Sequence, residues 1–98
     1  MVKHIILWQL KDEVTDKPTV KAGIKAGLEG LKGRIPGLLD IRVYTEGLPS
    51  SNADVMLDSS FADAASLKNY SVHPEHVAVA NARVRPFTKT RLCLDFEA

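Results

Sequence analysis

From Lys3 to Leu10 the chain is apolar on both sides of a two-residue alternation, with His4, Ile6, Trp8 and Leu10 on one side and Ile5 and Leu7 on the other. Such a strand is normally central and covered on both faces. Lys11-Asp12-Glu13 ends it, and the period changes. Val20, Ile24, Leu28, Leu31 and Ile35 recur at helical spacing and predict a helix over Pro18 to Gly33, with Asp16 or Lys17 at its cap and Pro18 near the first turn. Ile35-Pro36-Gly37 stops that helix. Alternation returns over Leu38 to Glu46, where Ile41 and Val43 oppose Arg42 and Tyr44. After the surface loop Gly47 to Asn52, a third strand runs from Ala53 to Phe61 with Val55, Leu57, Ser59 and Phe61 on one face. Asp63 is placed to cap a short helix over Ala64 to Tyr70. A further helix starts at Pro74, turns Val77, Ala80 and Val84 inward, and ends before Pro86. Lys89 to Phe96 forms the last strand, with Leu92, Leu94 and Phe96 on one face.

The order β-α-β-β-α-β, with its second helical region broken at His73-Pro74, predicts an α+β fold: a mostly antiparallel sheet with helices on one face. No helix remains for the other face, which is expected to present Ile5, Leu7 and Cys93. A second copy of the sheet would cover it, and the pattern therefore predicts a homodimer. Gly23, Gly27 and Gly30 run beside the buried stripe of the first helix, each costing about 1 kcal/mol against alanine. They imply close approach of helix and sheet, or room for a bound molecule.

Ninety-eight residues fit one domain spanning 1–98, with a core near the size where a partner subunit helps. A formal charge of +1 gives no field that would gather nucleic acid or an anionic membrane. The one basic concentration, Arg83, Arg85, Lys89 and Arg91, reads as a solvated helix end and strand edge, with an anion contact as the alternative. The single cysteine, Cys93, rules out an internal disulfide and a cysteine zinc cluster. The N-terminal apolar run is too short for a signal peptide or a membrane span, so a cytoplasmic protein is expected.

Chemistry concentrates in Tyr70-Ser71-Val72-His73-Pro74-Glu75-His76-Val77. Proline suits the first helical position and pushes the preceding residue out of the helical region. His73 therefore reads as an N-cap and His76 as a first-turn residue, where free amides and the helix dipole favour neutral imidazole. His4, Tyr70 and His76 are the catalytic candidates: an imidazole base with hydrogen-bonding partners in a mostly apolar cavity. His73, Trp8, Leu28 and Phe87 are expected to contact the substrate. The bland alternative makes these histidines caps and core hydrogen-bond partners. A zinc site on His4, His73 and His76 lacks an Asp or Glu at ligand spacing, so no side-chain metal site is expected.

His4 on a first strand, Ile35-Pro36-Gly37, Phe61 before a short helix, Tyr70-x-x-His73-Pro74-x-His76 and a closing Asp95 together resemble the stress-responsive A/B barrel (Dabb) domain over about residues 2–96. The resemblance implies a ferredoxin-like fold that dimerises sheet to sheet into a dimeric α+β barrel. It also implies two kinds of function. One is a polyketide cyclase, in which His76 matches the base, Tyr70 the residue orienting a carbonyl and His4 a pocket residue. The other is a non-catalytic structural or stress-protection protein. The cyclase has aromatic residues in the first helix where this chain has Gly23, Ala26, Gly27 and Leu28. Some members hold a magnesium ion on backbone carbonyls, here those of Lys32, Ile35 and Leu38; no other cofactor is implied.

Overall fold

The computed structural model describes residues 1–98. Its elements are β1 (Val2–Leu10), α1 (Lys17–Glu29), β2 (Leu38–Tyr44), β3 (Val55–Phe61), α2 (Ala64–Val72), α3 (Pro74–Val79) and β4 (Thr88–Glu97). A π-helical turn (Ala80–Val84) and a 3-10 turn (Arg85–Phe87) continue α3 to β4. The sheet order is β2-β3-β1-β4, antiparallel throughout, with β1 in the interior as its two-sided apolar pattern requires. This is the ferredoxin-like α+β arrangement. The element bounds differ from expectation in modest ways. α1 ends at Glu29 and passes through turns to Gly33, α2 runs on to Val72, and Pro86 sits inside a 3-10 turn rather than beyond the helix.

The core lies between the sheet and the helices. Val2, Ile6, Trp8 and Leu10 from β1 meet Ile24 and Leu28 of α1, Leu31 and Ile35 beyond it, and Phe61 and Tyr70. The Asp16 side chain caps α1 by accepting from the Thr19 amide at 3.2 Å, and Asp63 caps α2 through the Ser66 amide at 2.7 Å. The outer edge of β2 is shielded by α1: the Val43 amide donates to Glu29 at 2.9 Å, and the Val43 carbonyl accepts from Lys25 at 2.8 Å. Strand addition at that edge would have to displace both contacts.

Two glycines are tied to close packing. A Cβ on Gly27 would lie 2.9 Å from Val79 Cγ1 and 3.4 Å from Arg83 Cγ. The close approach is thus between α1 and the C-terminal helical segment, not between α1 and the sheet, and side chains rather than a ligand fill the space. Gly37 has φ +83°, and a Cβ there would collide with the Ser66 side chain. Gly37→Ala is expected to destabilise by about 2–4 kcal/mol from left-handed strain and overpacking. Adding Ser66→Gly should recover only the packing part, measured as the shift in urea midpoint at constant slope.

The register corrects one expectation. Ile6 pairs with Cys93, while Ile5 and Leu7 pair with Leu94 and Leu92. Directly opposed residues of an antiparallel pair share a face, so Cys93 lies on the helix side and Leu92, Leu94 and Phe96 lie on the open side. Leu92 and Leu94 are each 64% exposed, beside Leu7, Tyr44 and Phe96.

Candidate active site

The break between α2 and α3 builds the site. Pro74 forces His73 into an extended conformation (φ −65°, ψ 133°), and the His73 Nδ1 accepts from the Glu75 amide at 3.2 Å. One helix stops and another starts at an angle within a single residue. Tyr70, in the last turn of α2, and His76, in the first turn of α3, therefore meet ring to ring with centroids 4.2 Å apart and planes 36° apart. His4 arrives from β1 with its ring edge toward Tyr70 (6.2 Å), and Phe61 packs on Tyr70 from below at 5.0 Å.

A cavity of about 130 Å³ opens among these groups, with His4, Tyr70 and His76 in its wall beside Trp8 and Leu28. Such a volume is near that of a cavity that holds benzene, about 150 Å³. Two expected contact residues lie elsewhere. His73 is occupied as a helix cap, and Phe87 faces a surface groove by Lys11 and Thr19, its carbonyl accepting from the Lys11 amide at 2.8 Å. His73 is carried away because a cap must turn its side chain onto its own helix. Phe87 is displaced because the 3-10 turn rotates it past the cavity.

The buried Tyr70 hydroxyl and the His76 Nδ1 have no hydrogen-bond partner in the protein. Burial pushes the Tyr70 hydroxyl well above its ordinary pKa, so it stays a proton donor. Burial also lowers the pKa of His76; the Ser71 backbone opposes this, and Arg85, His4 and Arg91 add to it. Neutral imidazole is thus favoured chiefly by desolvation, rather than by the helix N-terminus to which the sequence pattern points.

His4 is fixed from the other side. Its Nδ1 contacts the Asp95 carboxylate across β1 and β4. Asp95 was visible in the sequence only as part of a resemblance; the pairing His4↔Asp95 is a consequence of register. Cys93 Sγ lies 3.8 Å from the His4 Nδ1 and donates to Asp95 at 3.4 Å. These three donor atoms all lie within 4.8 Å of one another, with His4 and Asp95 paired directly. Partial burial and the neighbouring Asp95 push the Cys93 thiol up, away from a nucleophilic thiolate. Around the turn after α1, the Ile35 carbonyl already accepts from the Leu38 amide at 3.2 Å. Neutral carbonyls of Lys32, Ile35 and Leu38 do not supply the carboxylate through which magnesium is usually held.

Comparison with known proteins matches the chain to a family. The model of the Stress responsive A/B Barrel Domain (Dabb) fits residues 2–98. A relative, the uncharacterized protein SCO4036 of Streptomyces coelicolor, is 35% identical over 83 residues, covering 80% of this chain and 81% of its own. A crystal structure of a dimeric protein of unknown function with a ferredoxin-like fold, from Bacteroides fragilis, superposes with TM-score 0.91 at 32% identity, over 99% of this chain and 95% of that one. Hydroxynitrile lyase from Passiflora edulis shares the fold at 18% identity, with TM-score 0.72 over 97% of this chain and 90% of its own. No helix here is long and apolar enough to cross a membrane. With the family model covering nearly every residue, the chain belongs to the stress responsive A/B barrel domain family.

Proposed function

We propose that this protein is a homodimeric enzyme acting on a small carbonyl compound by acid–base chemistry akin to that of the family's polyketide cyclases. The observation that carries this reading is the pair of orphaned polar atoms, Tyr70 Oη and His76 Nδ1, in the wall of one mostly apolar cavity. Buried polar groups nearly always find partners, and leaving one without costs about 1–3 kcal/mol. A ligand carbonyl and an acidic C–H would supply what each lacks. His76, neutral, takes a proton from the carbon beside the carbonyl. Tyr70, still protonated at neutral pH, donates to the oxygen on which negative charge develops. The His4 ring, oriented by Asp95, closes the wall opposite.

The test is hydrogen–deuterium exchange beside the carbonyl of small ketones, followed by proton NMR in D2O. Tyr70→Phe separates this reading from a structural role because the two make opposite predictions. Removing a hydroxyl that has no partner should leave the unfolding midpoint at or above that of the wild type, by up to about 1 kcal/mol. Loss of the donor should slow exchange by about 100-fold. A destabilised Tyr70→Phe with unchanged exchange would mean that the hydroxyl serves the fold, which is the alternative of a non-catalytic structural or stress-protection protein.

The dimer is proposed to form through the open sheet face. Tyr44, Met56, Leu7 and Leu92 make one cross-strand row, and Ile5 and Leu94 extend it. Lys3, Asp58 and Arg42 share this face, the first two as an ion pair, and association through it leaves the helices, and the cavity beneath them, on the outside of each protomer.

A further inference from the structure

The charge lining the cavity is one-sided, and the proton-transfer reading leaves it unused. Arg85, from the 3-10 turn, and Arg91, from β4, are both part of the wall, and no carboxylate is. Arg91 pairs with Trp8 across the strands, so it projects on the helix side of the sheet with His4. Neither arginine takes part in any ion pair of the chain. Arg85 is steadied by the Asn81 side-chain oxygen at 2.5 Å. Asp95, two residues beyond Cys93 on the same face of β4, is engaged by His4 and lies outside the cavity wall. Two permanent cations at the solvent-facing rim of a small apolar chamber, with no acid to answer them, are complementary to an anion.

We propose that Arg85 and Arg91 recognise a carboxylate, and that the ligand is a small oxo acid whose charged end they hold at the rim. The cavity sets its size at about six to eight non-hydrogen atoms. The inference rests on the assignment of Tyr70 and His76 as the reacting pair and adds which end of the ligand is fixed, and by what. Guanidinium forks match carboxylate geometry and keep their charge at any working pH. The carbonyl end is then left for the apolar interior, where Tyr70 and His76 stand. A second consequence follows from the same charges. Arg85 and Arg91 both weaken proton binding at His76, and a bound carboxylate offsets their field, making the imidazole a better base when substrate is present.

The experiment compares 4-oxopentanoate with its neutral amide, which has the same number of non-hydrogen atoms, in titrations of the full-length protein followed by calorimetry. The acid is expected to bind at least about tenfold more tightly, an advantage that shrinks with added salt. Arg91→Gln and Arg85→Gln should each weaken acid binding by about tenfold and amide binding by much less, so that the acid's advantage is lost. Equal affinity for the two ligands, a preference surviving both substitutions, or no binding of the acid overturns the proposal. Exchange at the carbons beside the ketone is read on the same samples. Carboxylate preference without exchange would sink the proton-transfer reading and keep the anion site. Exchange without carboxylate preference would do the reverse.

Discussion

Replacing Leu92 and Leu94 together by aspartate is expected to leave the protein monomeric at micromolar concentration with its fold intact. Both side chains are mostly exposed in the single chain, so the protomer's core loses nothing. In a sheet-to-sheet dimer, four leucines leave the interface at once. At about 1.5 kcal/mol or more for burying each, the loss is about 6 kcal/mol, a weakening of more than ten-thousandfold before any cost of burying carboxylates. Sedimentation velocity reads the mass and far-ultraviolet circular dichroism the fold. A variant that stays dimeric would move the interface off this face. Strand addition at β2 is a poor substitute, because Lys25 and Glu29 already occupy the Val43 backbone there.

The same leucines mark where sequence reasoning reached its limit. Period-two alternation in β4 separates Leu92, Leu94 and Phe96 from Arg91, Cys93 and Asp95, and this was legible. Which set faces the helices is fixed by pairing with β1, and the usual rule that apolar residues face the helices fails here. The apolar set faces outward, on the face for which a second copy is proposed, while the polar set faces inward, where Arg91 joins the cavity wall and Asp95 meets His4. An edge strand with its polarity reversed is itself a sign of a partner subunit, readable only once its register is known. By contrast, β1 was unambiguous, since a strand apolar on both faces has only one place in such a sheet. The α2–α3 break was also legible, because proline acts on its own neighbour and needs no tertiary contact. The glycines of α1 announced a close approach, but local sequence could not say that Val79 and Arg83 were the groups approaching. Tyr70, His76 and His4 are brought together by the fold, while His73 and Phe87 are not, for the capping and turn geometry already described.

Replacing His76 by alanine is expected to lower exchange beside a ketone carbonyl by about 10²- to 10⁴-fold, the range over which a positioned base contributes. Added imidazole should restore part of the lost rate, because the truncation enlarges the cavity by a ring's width. A structural histidine would give no such rescue. The pH profile carries the sharper signature. His76 binds its proton less readily in the folded protein than an ordinary histidine, with burial the largest cause. The wild-type rate should therefore hold its plateau as pH falls through about 6.5, the ordinary histidine value, and decline only below it. Stability should move differently in the same window. The unfolded chain takes up a proton near pH 6.5 that the folded chain refuses until lower pH, so unfolding becomes easier as pH falls through that interval. Above it both states hold neutral imidazole and the contribution is full. In His76→Ala this part of the acid slope should vanish together with the base-dependent limb of the rate. A rate that already halves at or above pH 6.5, or an acid slope unchanged by the substitution, would mean that His76 is solvated and titrates freely, and the base would have to be sought elsewhere.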